Sequence, residues 1–450
     1  MIKTLLLGVL LQINVSAEVD FSGNANIIKP DEVKQTEVPL PQSTKSTKPK
    51  TQKEWTIMVY LNAKNDLEPF GIADMNEMET VGSNDYFNIV VEFGRIKGYD
   101  SSNGNWTGVR RYYVTKDNDK TKINSQLIAD LGEVDMGNYK ELINFAKWAK
   151  QNYPAKKYLL VIWNHGSGWK KGMKEKITKG ISYDEASGNH INTPQLGLAM
   201  KEIGKVDVID FDACLMQMVE VGYEIKDYVT YIVASEETEP GDGNSYDIFL
   251  SKLSQNPTMG PLELAKSIVD AYYSYYSQRG NGTTKSVIRA KQFAGLLDAV
   301  NNFAYSISQA GDKSAVQKAL AGVQSFAIDE NKDLYHFAKL VQSYTTNTDV
   351  KSKAQTLMDF IKNKLVAYNK TTNGGYSWWG SSDYSNAYGV AIYIPSSSIA
   401  SGYTDLQWAK YSNWDEFLSW YIGKDVSSSS STTSSGSSNY PFFYDWLFGE

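Results

Sequence analysis

The sequence predicts an α/β fold in three layers, with a mostly parallel central sheet flanked by helices and a largely helical C-terminal half. Two observations predict it. Between residues 54 and 424, short apolar runs alternate with segments of helical periodicity, which is typical of parallel sheets covered on both faces. From residue 262 onward, helical periodicity dominates.

The predicted elements follow the periodicity and the positions of turn residues and helix caps. Asn65 or Asp66 is expected to cap the first helix, which runs through Met78. The predicted strands are Trp55–Leu61, Phe87–Phe93, Val109–Val114, Tyr158–Trp163, Val206–Phe211, Thr230–Ala234 and Val390–Ile394. The other predicted helices are Tyr139–Gln151, Thr193–Ile203, Met216–Lys226, Leu262–Tyr276, Phe293–Ser308, Ala315–Phe326, Leu334–Tyr344, Val350–Tyr368 and Trp408–Tyr421.

The composition excludes several classes of function. The chain has 450 residues, 45 Lys+Arg against 51 Asp+Glu and a net charge of −6, so nucleic acid is not expected as a partner. Its hydrophobic content of 42% is enough for a sizeable core. Since there is one cysteine and only three histidines, a disulfide framework is excluded and a zinc site would need carboxylate ligands.

The N-terminus resembles a secretion signal. Lys3 precedes an apolar run from Leu5 to Ile13, and Val15-Ser16-Ala17 offers a small-residue cleavage site. We therefore expect residues 1–17 to be a signal peptide and the mature protein to be secreted or held at the cell surface. No later stretch has the roughly 20 apolar residues of a membrane helix, and we expect a monomer.

Composition also marks the domain edges. Residues 18–53 are rich in Pro, Lys, Thr and Gln and are expected to form a disordered linker or pro-segment. Residues 54–424 are expected to form the main folded domain. A Ser-rich linker at 425–439 leads to the aromatic tail at 440–450, for which packing on its own domain and an anchoring or recognition role are both open.

Two reactive side chains follow buried strands. His165 comes directly after Tyr158–Trp163, and Cys214 comes after Val206–Phe211. Since catalytic groups in open α/β sheets gather beyond the carboxyl ends of the strands, the thiol and the imidazole are expected at one edge. A following helix would favour the thiolate, and the amides of Cys214 and Gly166 could form an oxyanion hole. A buried, inert cysteine and a structural histidine are the competing interpretations.

Four ordered blocks around these positions resemble the clostripain family of cysteine peptidases. They are Trp55-Thr56-Ile57-Met58-Val59-Tyr60-Leu61-Asn62-Ala63 with the Asn65-Asp66-Leu67-Glu68 and Asn76-Glu77-Met78-Glu79 that follow, Trp163-Asn164-His165-Gly166-Ser167-Gly168-Trp169, Asp210-Phe211-Asp212-Ala213-Cys214-Leu215-Met216, and Ala234-Ser235-Glu236-Glu237-Thr238-Glu239-Pro240-Gly241. The resemblance implies a caspase-like sandwich. The 49-residue step from His165 to Cys214 (214 − 165) is also close to the caspase separation of about 50 residues.

The resemblance implies cleavage of protein or peptide substrates after Arg or Lys, which needs an anionic pocket. Asp212 is expected to line it, because on an extended segment it shares the side of Cys214. Asp242 is a second candidate for a pocket carboxylate, and the competing interpretation is that it only forms a turn. Asp210 could take the pocket role in place of Asp212. No third triad member is evident, and related peptidases commonly use a dyad.

The resemblance further implies a zymogen that matures by self-cleavage between His165 and Cys214. Five lysines lie in that stretch, for which a solvated basic loop is the alternative. We expect the cut after Lys179, with Lys174 as second choice. Some family members need calcium, but no Asp-rich loop of EF-hand type is evident, so no cofactor is assigned and calcium stays open.

Two other functions remain open at this point. The 30 Tyr and 11 Trp residues would suit an exported module that binds carbohydrate or protein on a peptidase-like scaffold. The second open function is that of a thiol enzyme acting on a non-peptide acyl or amide substrate. His190 and His336 lie away from the predicted edge and are interpreted as structural.

Overall fold

The computed structural model describes residues 52–170, 180–374 and 382–423. The predicted signal peptide, the Ser-rich linker and the aromatic tail lie outside these residues, as does nearly all of the predicted N-terminal linker. The strands are β1 (Lys53–Ala63), β2 (Phe87–Arg95), β3 (Gly108–Tyr113), β4 (Gln126–Gly132), β5 (Ala155–Trp163), β6 (Ile181–Asp184), β7 (Asn189–Ile191), β8 (Val206–Asp212), β9 (Val229–Ala234), β10 (Thr283–Arg289), β11 (Asn331–Asp333), β12 (Val366–Thr372) and β13 (Ala391–Tyr393).

The helices cover both faces of the sheet. They are α1 (Glu68–Val81), α2 (Tyr139–Asn152), α3 (Thr193–Ile203), α4 (Val219–Ile225), α5 (Tyr246–Gln255), α6 (Pro261–Ser277), α7 (Phe293–Ala310), α8 (Lys313–Leu320), α9 (Leu334–Tyr344), α10 (Thr348–Phe360), α11 (Gln407–Tyr411) and α12 (Trp414–Ile422). Most of the segments predicted as helices from periodicity are helical.

Among the described residues, nine strands form the central sheet, in the order β12-β10-β9-β8-β5-β1-β2-β3-β4. The five middle strands, β9 to β2 in that order, are parallel to one another. The outer strands β10 and β12 at one end, and β3 and β4 at the other, run antiparallel to their neighbours. All five parallel strands therefore end at the same edge of the sheet.

Alternating side chains of the central strands divide the core into two layers. On β1, Ile57 and Val59 pack against one face of the sheet together with residues of α1, α5 and α6. Met58 and Tyr60 pack on the other face, in the larger cluster that includes α2, α3, α4 and α7 to α12. These four side chains are fully buried, and burial of each contributes roughly 1.5–3 kcal/mol. The predicted three-layer α/β architecture is confirmed.

Several predicted elements differ from the structure. The predicted helix Val350–Tyr368 ends at Phe360; a π-helical turn follows, and Val366 begins β12. Pairing with β10 stabilises this strand, and such long-range pairing is invisible to local periodicity. Trp408–Tyr421 is two short helices broken at 412–413, and Ala315–Phe326 becomes Lys313–Leu320. Strands β4, β6, β7, β10 and β11 and helix α5 were not predicted.

Two further differences bear on the site. The helix predicted from Met216 begins only at Val219, five residues beyond Cys214. A helix dipole acts within about one turn, so it does not support a thiolate here and this expectation was wrong. The helix expected to be capped by Asn65 or Asp66 begins at Glu68 with Leu67 at the N-cap position, which leaves the Asp66 side chain free for another contact.

Candidate active site

The two reactive side chains follow two neighbouring strand ends. Strands β5 and β8 are parallel, with Trp163 and Asp212 as register partners at their last residues. The Asn164 amide donates to the Asp212 carbonyl oxygen at 3.2 Å, which extends the pairing by one step. His165 and Cys214 are each two residues beyond the paired ends, at the same edge of the sheet.

Gly166 lets the two chains meet closely. A β-carbon added at this position would lie 2.4 Å from the Cys214 carbonyl oxygen and 3.2 Å from its nitrogen. Real β-carbons do not approach backbone atoms at the shorter distance, so only glycine fits. Its backbone also bridges to Ile181 in β6, and the next residue, Ser167, donates its amide to the Gly180 carbonyl at 3.0 Å.

The Cys214 thiol is partly buried against the loop after β9. Its sulfur accepts a hydrogen bond from the Glu239 amide at 3.3 Å. Burial raises the pKa of Cys214 to about 11, and the Glu239 and Glu237 carboxylates add to this, while backbone amides of Glu239 and Gly166 oppose it. A pKa of about 11 keeps the thiol protonated at neutral pH.

The residue after the nucleophile candidate has unusual backbone geometry. Leu215 has φ of 63°, in the left-handed region that costs a side chain of this kind about 1–3 kcal/mol. Its amide donates to the Glu237 carbonyl at 3.0 Å, and the Gln217 amide donates to Ser235 at 2.9 Å. These bonds to the loop after β9 hold the turn that presents Cys214.

The His165 ring has a carboxylate partner that the sequence did not suggest. His165 Nε2 lies 2.7 Å from Asp66 Oδ1. Asp66 follows β1, the parallel neighbour of β5, so it reaches the same edge of the sheet. The edge rule that selected His165 and Cys214 applies equally to the end of β1 and could have found it.

A cavity of about 150 Å³ opens beside these side chains. It is lined by Leu67, Trp163, Asn164, His165, Asp212, Ala213, Cys214, Glu239, Pro240, Gly241 and Gly243. His165, Cys214 and Asp212 therefore border one space. Two glycines of the 241–243 loop line the cavity, while the exposed Asp242 carboxylate accepts a hydrogen bond from the Tyr275 hydroxyl at 2.8 Å.

The Asp212 carboxylate is buried and fixed in the cavity wall. It accepts hydrogen bonds from the Tyr246 hydroxyl at 2.8 Å and the Asn244 amide at 3.0 Å. Gly243 allows this loop to approach, since a β-carbon there would lie 2.6 Å from Asp212 Oδ1. Asp210, the alternative to Asp212, lies deeper in β8 and accepts from the Asn244 side chain at 2.7 Å.

One buried lysine faces three buried carboxylates around the cavity. Lys285 Nζ lies 2.8 Å from Glu239 Oε1 and 3.8 Å from Asp210 Oδ1, and it donates to the Phe211 carbonyl oxygen at 3.0 Å. Burial alone would lower the pKa of Lys285, but Glu239, Asp210 and Asp212 raise it above its usual value. The ammonium therefore stays charged and offsets part of the negative charge.

Three buried carboxylates surround this single ammonium group, and the pKa of each carboxylate is raised. Burial raises the pKa of Asp210 to about 7, raises that of Asp212, and raises that of Glu239 well above its usual range. Asp212 and Glu239 both line the cavity, and the Asp212 charge adds to the rise in the pKa of Glu239. Glu239 and Lys285 were not assigned roles from the sequence, because their meeting depends on the β9–β10 pairing.

The predicted cleavage residues, Lys174 and Lys179, lie outside the described residues. On the near side of that gap, Lys170 forms an ion pair with Glu330. On the far side, the Gly180 amide donates to the Ser167 hydroxyl at 3.1 Å.

The remaining histidines have structural surroundings. His336 is buried, its Nδ1 accepts from the Gln324 amide at 2.9 Å, and burial lowers its pKa. His190 stacks on Tyr183 with ring centroids 5.3 Å apart. In the described ranges, no group of three or more His, Cys, Asp or Glu side chains could hold a metal ion, and no helix is long and apolar enough to span a membrane.

Comparison with solved structures identifies the fold. A secreted C11 cysteine protease from Bacteroides thetaiotaomicron, solved with an irreversible peptide inhibitor, is 24% identical with a TM-score of 0.61, over 81% of this chain and 100% of that chain. An inactive zymogen C11 protease from Parabacteroides distasonis is 18% identical with a TM-score of 0.60, over 80% of this chain and 98% of that chain. The predicted caspase-like sandwich is thereby confirmed.

Sequence comparison identifies the family. Clostripain from Hathewaya histolytica is 28% identical over 233 residues, which cover 47% of this chain and 44% of that protein. The chain thus matches less than half the length of this relative. A family model described as the clostripain family, peptidase C11, matches residues 59–421, which is most of the chain. The protein therefore belongs to the clostripain family of cysteine peptidases.

Proposed function

We propose that this protein is an exported cysteine endopeptidase that cleaves peptide bonds after Arg or Lys, using Cys214 as nucleophile and His165 as base and acid. One observation carries the proposal. The chain's single thiol and an imidazole follow register-paired strand ends and border one cavity together with a buried carboxylate, Asp212.

The proposed reaction uses both side chains in two steps. His165 takes the thiol proton as Cys214 attacks the substrate carbonyl carbon, giving a tetrahedral oxyanion. The amides of Cys214 and Gly166 would stabilise that oxygen. His165 then gives the proton to the leaving amine, and a thioester remains. Water, deprotonated by His165, attacks the thioester and releases the carboxylic acid and the free thiol.

The acidic cavity supports specificity for a cationic side chain. Asp212 is fixed by two hydrogen bonds in the wall, with Glu239 next to it. A substrate guanidinium or ammonium would add a second cation to the three carboxylates that Lys285 only partly neutralises. Asp242 would contribute from the rim of the cavity, where its carboxylate is exposed.

We further propose that the uncut chain is a zymogen activated by cleavage after Lys179, or after Lys174. A cut after Lys179 would make Gly180 a new N-terminus, and its nitrogen now donates to Ser167, two residues from His165. Cleavage would thus alter the segment beside the reactive pair. N-terminal sequencing of the mature protein should find a chain beginning at Gly180. The absence of any new terminus between Lys170 and Ile181 would contradict this step.

Export would follow from the signal peptide proposed at residues 1–17, and the substrates would be proteins or peptides outside the cytoplasm. A monomer is proposed.

Hydrolysis of fluorogenic peptides tests the proposed activity. Peptides ending in Arg, Lys, Asp or Leu are offered to the wild type and to Cys214→Ala, with retained fold checked by the melting temperature. Cleavage after Arg and Lys, abolished in the variant, is expected. Cleavage after Asp or Leu would discard the acidic pocket and keep the thiol mechanism. No cleavage of any peptide, even after a trypsin nick between Lys170 and Gly180 and with calcium added, would favour a binding module instead.

A further inference from the structure

We propose that Asp66 is a positioning residue for His165, holding the imidazole so that Nε2 carries its proton and Nδ1 is left to exchange a proton with Cys214. This rests on the proposed peptidase function and names a residue beyond the Cys-His dyad. The contact itself is direct, since His165 Nε2 and Asp66 Oδ1 are 2.7 Å apart. That distance is typical of a hydrogen bond to an ionised acceptor.

The two side chains are held together by their backbones, not by burial. Asp66 is 60% exposed and His165 is 28% exposed, so water could solvate either one. A pair of flexible side chains so exposed would contribute little. The short distance between these two side chains must therefore be set by the backbone segments that carry them.

A shared anchor explains their spacing. The residue before Asp66 is Asn65, and the residue before His165 is Asn164; both are buried. The side-chain amides of these two asparagines donate to the same acceptor, the carbonyl oxygen of Tyr183, at 2.9 and 3.1 Å. The Tyr183 amide donates back to Asn164 Oδ1 at 2.9 Å. One backbone unit of β6 thus fixes both loops.

The loop that carries Asp66 is fastened on both sides. Before it, buried Lys64 pairs with buried Asp184 at 3.1 Å. After it, the Leu67 amide donates to Asn65 Oδ1 at 3.0 Å, which closes a tight turn around Asp66. Helix α1 then begins at Glu68, whose buried carboxylate pairs with Arg95 at 2.6 Å. The Asp66 backbone therefore has little freedom to move away from His165.

The chemistry of the pair fixes the tautomer. An ionised carboxylate can only accept a hydrogen bond, and a neutral imidazole has one donor and one acceptor nitrogen. With Nε2 facing Asp66, the proton must sit on Nε2, so the lone pair is on Nδ1. When His165 takes the thiol proton, the adjacent carboxylate also stabilises the imidazolium that forms.

Nitrogen-15 NMR of the histidine side chains tests the tautomer without requiring activity. The Cys214→Ala protein, labelled at histidine, gives only three imidazoles, and His336 is an internal reference because its Nδ1 accepts from the Gln324 amide. With Asp66 intact, we expect His165 as the Nε2–H tautomer. Asp66→Ala should convert it to a mixture of tautomers, while Asp66→Asn, which keeps an acceptor oxygen, should restore part of the preference.

Kinetics with Cys214 restored give the second readout. Asp66→Ala should lower kcat by about 10- to 100-fold with KM unchanged, because it disturbs proton transfer and not binding. The matched control is Asp227→Ala, an exposed residue near the opposite edge of the sheet, which should match the wild type. Unchanged kcat and an unchanged tautomer in Asp66→Ala would overturn the proposal. A tautomer change in a protein whose wild type cleaves no peptide would keep Asp66 as positioning residue and reject the proposed function.

Discussion

Trp163 and Asp212 are register partners at the ends of β5 and β8, and this pairing sets the separation of the two reactive side chains. His165 and Cys214 each follow two residues later, where parallel strands end at a common edge. Their proximity is therefore a consequence of sheet topology. The loops add the fine positioning, through the close contact of Gly166 with the Cys214 backbone.

Gly166→Ala should disable the enzyme while leaving the fold in place. The added β-carbon would lie 2.4 Å from the Cys214 carbonyl oxygen, so one of the two loops must move. A displacement of about 1 Å at reacting groups can cost on the order of 100-fold in rate, and we expect that loss in kcat/KM. Gly322→Ala is the control, because its β-carbon would meet only a leucine methyl at 3.9 Å and should leave activity unchanged. Full activity of Gly166→Ala would refute the described packing.

Asp212→Asn should weaken selection of cationic substrates. A hydrogen bond to a charged group is worth about 1.5–3 kcal/mol, so kcat/KM for Arg and Lys peptides should fall about 10- to 150-fold. Asp242→Asn serves as the comparison. Its exposed carboxylate should contribute only about 0.2–1 kcal/mol, so a smaller loss is expected. If Asp242→Asn proves the more damaging of the two, the main specificity residue is at the rim and not in the buried wall.

Binding of a cation should strengthen as pH rises. Burial raises the pKa of Asp210 to about 7 and raises the pKa values of Asp212 and Glu239, so these groups hold protons at a pH where ordinary carboxyls are ionised. A proton bound there removes the negative charge that attracts a guanidinium. The affinity of the Cys214→Ala protein for agmatine, measured by calorimetry, should therefore rise between about pH 5.5 and about pH 8. The slope should approach tenfold per pH unit for each proton released. An affinity that does not change with pH would show that the wall is already fully ionised.

Lys285→Met should destabilise the fold. Removing the buried ammonium leaves Glu239 and Asp210 without their cation, and breaking a buried pair in this way costs about 3–5 kcal/mol. The free energy of unfolding in urea measures the loss. The double variant Lys285→Met/Glu239→Gln should recover part of it, because it removes one unpaired charge. Equal stability of the single variant and the wild type would mean that the carboxylates are neutral without Lys285.

The sequence was sufficient for the central layers of the fold and for placing His165 and Cys214 at one edge of the sheet. Val206–Phe211 and Tyr158–Trp163 are continuous apolar runs, so their strands and the residues that follow them could be located by periodicity alone. The helical C-terminal half could be recognised in the same way.

What the sequence could not reveal depends on long-range pairing. Residues 350–360 have a helical period that continues to Tyr368 in the sequence, and this period predicts a helix where strand β12 forms. Glu239 and Lys285 are 46 residues apart, and only the β9–β10 hydrogen bonds bring them together. Asp66 could have been located, since it follows a predicted strand, but the sequence predicts Asn65 or Asp66 as a helix cap instead.

Covalent trapping with peptide reagents is a direct test of a His165-activated thiol beside an acidic pocket. The purified protein, before and after cleavage between Lys170 and Gly180, is treated with peptide chloromethyl ketones that end in Arg, Lys, Asp or Leu, and the adducts are located by mass spectrometry. One adduct is expected, on Cys214, formed with the Arg and Lys reagents and lost in Cys214→Ala and His165→Ala. Equal labelling by all four reagents, or labelling that persists in His165→Ala, would contradict a His165-activated thiol beside an acidic pocket.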